Sequence, residues 1–161
     1  MWEEMCLTGD DNWLAMAIRE NTLVAVTNGS YMRELYPTMN SCAFILKCTQ
    51  GRGRLTGAFL EQTIAACSYQ GELLGLMAIH LILLSVNRID PTLTGLAHIY
   101  LDCLGTLNKI QHLPPHRITS KCQYSDVLKN VMIHCSSLSF KRFFSHVSAH
   151  QDDHTKWENL S

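Results

Sequence analysis

The sequence predicts a single α/β domain built on a mixed five-stranded sheet. Three observations predict it. Three β-rich runs are separated by turn-forming residues; a long segment, apolar nearly all round, follows them as a helix buried against a sheet should; and strand-like and helix-like segments then alternate to the end. The order is β-β-β-α-β-α-α-β. A crossover helix between strands joins a parallel part to an antiparallel meander. At 161 residues, with 47% hydrophobic and 17% charged residues, the chain has the size and composition of one globular domain.

Each element has its own signal. Residues 1–22 are set apart as an N-terminal extension, residues 23–153 as the domain, and residues 154–161 as a tail. Leu23 to Thr27 (LVAVT) is a short β-rich run closed by the Asn28-Gly29 turn dipeptide. Ser41 to Cys48 and Arg54 to Glu61 read as a hairpin around Gln50-Gly51-Arg52-Gly53. Tyr69 to Val86 reads as the buried helix, with Ser68 as its cap and Asp90-Pro91 ending the segment. Leu96 to Cys103 is a strand and Leu104 to Ile110 a short helix. Pro114-Pro115 marks a loop, Tyr124 to His134 a further helix, and Phe140 to Ser148 a last strand.

The net charge of −1 hides an asymmetry. Residues 1–102 carry six Lys/Arg against ten Asp/Glu, whereas residues 103–150 carry six against Asp126 alone. A basic stretch after an acidic half suits a phosphate-contacting surface beside a cation site, although plain surface charge gives the same count. The seven cysteines are odd in number and form no CxxC pair, which fits free thiols in a reducing, intracellular compartment, cytoplasm or nucleus. The start, MWEEMCLTGDD, lacks the basic-then-apolar order of a signal peptide. The longest apolar run, Leu73 to Leu84, is interrupted by His80 and too short to span a bilayer, so no membrane is expected.

Three positions fall at element ends where chemistry could gather. Asn28 follows the first strand, Glu72 lies in the first turn of the buried helix, and Asp102 ends the fourth strand. Carboxylates converging there would coordinate Mg²⁺ or Mn²⁺ through hard oxygens, and two such ions about 4 Å apart could activate water and stabilise the leaving oxygen of a phosphodiester.

These segments resemble a known family. VTNGSY (Val26 to Tyr31) resembles the first-strand motif of type 1 ribonuclease H domains, with Asn28 where that family has an Asp. GELLGLMA (Gly71 to Ala78) resembles its helix motif, with Glu72 as the catalytic acid. YLDC (Tyr100 to Cys103) resembles its fourth-strand motif, with Asp102 as the third acid. SHVSAHQDD (Ser145 to Asp153) is similar to its segment after the last strand, which makes His150 the product-release histidine. The HVxxHQDD form is most similar to domains attached to reverse transcriptases of mobile elements, which implies a piece of a longer polyprotein. A Glu placed between the two strand positions fits ribonuclease H better than integrases or transposases, where the Glu comes last. The resemblance implies Mg²⁺-dependent cleavage of RNA in RNA–DNA hybrids, with two ions in the ancestral site held by Glu72 and Asp102. Phosphates would lie along Lys109, Arg117, Lys121, Lys141 and Arg142.

Two departures bear on activity. Asn28 carries no charge where both metals would be bridged, and the family's fourth acid lies on a helix for which the chain leaves no room. The expectation is a weak or inactive nuclease that retains nucleic-acid binding, with a protein-interaction or vestigial scaffold as the alternative. An uncovered part of one sheet face is expected to accompany the missing helix. Each residue also has a plainer role: Glu72 as a helix N-terminal acid, Asn28-Gly29 as a turn. His146, His150 and His154 have metal-ligand spacing but fall on strand and loop, which argues against zinc. Phe140, Phe143 and Phe144 could stack on bases, though alternation along a strand favours core packing. Phosphate-loop and dinucleotide fingerprints are absent.

Overall fold

The computed structural model describes residues 4–31, 34, 36–64, 66–120 and 124–147. Strand β1 (Glu4–Gly9) and helix α1 (Trp13–Arg19) precede a meander of β2 (Leu23–Tyr31), β3 (Met39–Cys48) and β4 (Gly53–Gln62). Helix α2 (Ser68–Ile89) crosses over to β5 (Leu96–Leu101), and α3 (Leu104–His112), a 3₁₀ turn (Pro115–Arg117) and α4 (Ser125–Ser137) lead to β6 (Lys141–His146). The sheet order is β1-β4-β3-β2-β5-β6, with β5 parallel to β2 and to β6 and the other pairs antiparallel.

The sheet thus has six strands, not five. The sixth comes from residues ahead of Leu23 that the sequence reading set apart: β1 pairs along β4, and Trp13, Ala17 and Ile18 of α1 are buried in the main core. Strand β2 also runs on through Asn28-Gly29 to Tyr31, so that dipeptide is no turn.

Register alternation divides the sheet into two unlike faces. Leu23, Ala25, Thr27, Phe44, Leu46, Leu55, Ala97, Ile99 and Leu101 point to the helices and are buried. The alternate residues of β2 to β6 point the other way, and none of them is buried. Helix α2 packs on β2, β3 and α4. By length and composition it could cross a bilayer, being longer than the apolar run Leu73 to Leu84, yet half of it is buried within the fold.

Glycine sets how closely α2 approaches. A Cβ on Gly29 would overlap the Glu72 nitrogen and the Ser68 carbonyl oxygen; one on Gly71 would sit 2.6 Å from the Ser41 carbonyl oxygen and 3.0 Å from the Gly29 Cα. One turn on, a Cβ at Gly75 would overlap Thr27. Gly71 and Gly75, four apart, lie on one helix face, so backbone meets backbone at the end of β2.

Deeper in the core, His80 is fully buried. Its Nδ1 donates to the Leu76 carbonyl (2.8 Å), leaving Nε2 to accept the Cys135 thiol (2.9 Å), and Phe144 stacks on the ring at 6.0 Å.

Two outcomes follow. Gly71→Ala should destabilise the fold by about 1–3 kcal/mol, since the clash is with backbone, and lower the melting midpoint by several degrees. Burial holds the His80 pKa down at about 4 against 6.5. A depressed histidine contributes stability above pH 6.5 that is lost as pH falls through 4, so melts across that window should show His80→Leu losing this part of the acid sensitivity.

Candidate active site

Because β2 and β5 are parallel neighbours, their C-terminal ends lie at the same edge of the sheet, with the start of α2 against the end of β2. Glu72 and Asp102 meet there. They line a hollow of about 230 Å³ with Gly29, Ser68, Tyr69 and Cys103. Helix α2 is capped by the extended backbone of Cys67, with Ser68 as its first helical residue and not its cap, which puts Glu72 at the start of the second turn.

Glu72 is 2% exposed, and its Oε2 accepts the Gly29 N–H at 3.1 Å. Its Oε1 is buried without a hydrogen-bond partner. Burial first, and then the Asp102 charge beside it, pushes the Glu72 carboxyl up to about 8. Asp102 follows the last residue of β5 and is half-buried. His146, paired with Leu101 at the end of β6, donates from Nε2 to the Asp102 carbonyl at 3.1 Å. On the other side the Lys109 ammonium donates to the Tyr69 hydroxyl at 3.0 Å and lies 4.8 Å from that ring's centre. Asn40 and Glu61 brace the same helix start: Asn40 Nδ2 donates to Gln70 Oε1 (3.0 Å), and Gln70 Nε2 to Glu61 Oε2 (2.7 Å).

Other expected site residues lie elsewhere. Asn28 is exposed, and alternation turns its side chain to the sheet face opposite Thr27 and Gly29; its neighbour Gly29 is the residue that lines the hollow. His150 and Lys121 lie outside the described residues, as does His154. The basic stretch does not form one surface. Lys109 borders the hollow and Arg117 is exposed on the 3₁₀ turn. Lys141 starts β6, five residues from the end that carries His146, and points away from the helices. Arg142 is half-buried on the helix side, donating from Nη1 to the Phe140 carbonyl (3.3 Å). Strand alternation separates 141 from 142, which charge counting along the sequence ignores.

Sequence reasoning missed Tyr69, and weighed His146 only as a zinc ligand, not beside Asp102. Only the parallel β5–β6 register brings His146 to Asp102. Tyr69, three residues before Glu72, shares its helix face, a spacing that could have found it.

No family model matches the chain, and no curated protein matches it by sequence. Solved structures do match. A ribonuclease H1 from the halophilic archaeon Halobacterium salinarum superposes with a TM-score of 0.54 at 12% identity, over 81% of this chain and 89% of that one. A ribonuclease H1 isolated from compost by a metagenomic approach gives 0.60 at 9% identity, over 83% and 89%.

The chain has the ribonuclease H fold.

The ribonuclease H-like domain also superposes on prototype foamy virus protease–reverse transcriptase, with a TM-score of 0.59 at 11% identity. That match covers 85% of this chain and 19% of the viral one.

Glu72 carries a pH signature. With its folded pKa raised from 4.5 to about 8, it contributes stability that is complete below pH 4.5 and is lost as pH rises through 8. In chelator-treated protein, Glu72→Gln should remove this decline between pH 4.5 and 8. An unchanged profile in the variant would mean that Glu72 is ordinarily ionised.

Proposed function

We propose that this domain binds RNA–DNA hybrid at the Glu72–Asp102 edge and is a weak or inactive relative of hybrid-cleaving nucleases. The observation that carries the reading is the buried, unpartnered Glu72 Oε1 beside Asp102, on a fold shared with two solved ribonucleases H1. An orphaned carboxylate oxygen next to a second acid costs free energy that a hard cation relieves, so the donor set fits Mg²⁺ or Mn²⁺. It fits sparingly. Among the described residues no group of three or more His, Cys, Asp or Glu could hold a metal, and Asn28 is both neutral and turned away. The ancestral pair of ions is therefore not expected here.

Glu72 and Asp102 would hold the cation, which when bound would polarise a phosphodiester and acidify water. The residues of the chain itself orient and screen. Gly29 N–H fixes one Glu72 oxygen, while His146 steadies the Asp102 backbone. Lys109, held over Tyr69, offers a positive charge to a phosphate passing the hollow. One of the foamy virus protease–reverse transcriptase structures is a complex with RNA/DNA hybrid, which supports hybrid as the ligand and a longer polyprotein as the setting. The buried free thiols of Cys42, Cys48 and Cys135 support an intracellular setting.

The test is cleavage and binding of an end-labelled hybrid. Binding should weaken steeply with salt. Turnover in Mg²⁺ should be absent or at trace level, any residual activity in Mn²⁺ should vanish in Glu72→Gln, and Asn28→Asp should not restore full activity, because residue 28 points away from the hollow. Efficient Mg²⁺-dependent cleavage that survives Glu72→Gln would overturn the reading.

A further inference from the structure

The face of the sheet opposite the helices carries chemistry of its own. Register aligns Arg54, Lys47, Val24, His98 and Phe143 in one row across β4, β3, β2, β5 and β6. At about 4.8 Å per strand the row spans roughly 19 Å. One end is basic and the other aromatic. The His98 ring stacks on Tyr100 at 4.5 Å, Phe143 meets it edge-on at 4.9 Å, and His98 Nε2 pairs with Ser145 Oγ at 2.9 Å. Phe143 is 55% exposed, while Phe140 and Phe144 of the same segment pack into the core.

At the basic end, Lys47 and Arg54 sit directly opposite each other, a like-charge pair that is unfavourable unless an anion lies between them. Both are exposed, and both border a hollow of about 520 Å³ at the β3–β4 turn. Lys141 lies on the same face, on which β2 to β6 place no Asp or Glu. A docking apolar helix would have to desolvate these cations. A polyanion with stackable rings satisfies both ends.

We propose that this sheet face, which no described element covers, binds single-stranded nucleic acid, with bases stacked on Phe143, His98 and Tyr100 and phosphates held by Lys47 and Arg54. The site is separate from the carboxylate hollow and does not depend on the hybrid reading.

The test is fluorescence anisotropy of the full chain with a labelled ten-nucleotide oligouridine and a DNA strand of equal length. Phe143→Ala should weaken binding about tenfold, and Phe143→Leu, which keeps apolar bulk but loses the ring, by a similar factor. Replacing Lys47 and Arg54 together with Gln should lower the slope of log affinity against log salt by about 1.4. Glu72→Gln should leave oligonucleotide affinity unchanged, so failure of the hybrid reading and failure of this one are distinguishable. Since Phe143 is exposed, melting of its variants should match the parent. No oligonucleotide binding, or binding indifferent to Phe143→Ala in a normally melting variant, overturns the proposal. So does self-association that Phe143→Ala abolishes while oligonucleotide affinity stays the same, which would assign the face to a second copy.

Discussion

The backbone contact between Gly29 of β2 and Gly71 of α2 is the constraint on which the functional edge depends. Side chains at either position would hold the helix away from the sheet. Only at this separation does the Glu72 carboxylate reach the Gly29 N–H, and only there does Gln70 join Asn40 and Glu61 across the sheet edge. The contact trades side-chain packing for a short approach, and it closes off solvent above Glu72. That closure is what raises the carboxyl pKa, since charge in a desolvated hollow beside a second acid is costly.

The hollow is desolvated yet thinly supplied with ligands for a cation. Two acids converge, one carboxylate oxygen has no partner, and the remaining neighbours are a backbone, two hydroxyls and a thiol. Hard-cation sites gain affinity from ligand charge, so a two-carboxylate edge is a poor metal centre. Lys109 over Tyr69 and His146 against Asp102 add positive charge and backbone support around it.

One-sided layering shapes the rest of the molecule. All the buried strand residues face the helices, and the buried His80 pair with Cys135 ties α2 to α4 on that side. Strand β1 extends the sheet beyond β4, and α1 adds Trp13 and Ile18 to the same core. The opposite face keeps a row of residues whose alternation, not their sequence neighbours, decides what they meet. Phe143 and Phe144 are adjacent in sequence and end in water and core respectively.

Much of this was legible beforehand. Hydrophobic period and turn residues determined the meander, the crossover helix and the α/β class, because those signals are local and each element's burial demands them. Order along the chain allowed β2 and β5 to be parallel neighbours, and so allowed Glu72 and Asp102 to share a sheet edge. Tertiary structure alone decided the rest. The pairing of β1 with β4 is non-local, and no period in six residues specifies it. Asn28-Gly29 has the composition of a turn, and only the approach of α2 makes the glycine a spacer within a continuing strand. Strand alternation sent Lys141 and Arg142 to opposite faces and Asn28 away from the acids, because side-chain direction follows register. The sequence by itself determined which elements form from β2 to β6 and in what order. Which side chains meet was decided by register and helix approach, because both depend on contacts between residues far apart in the chain.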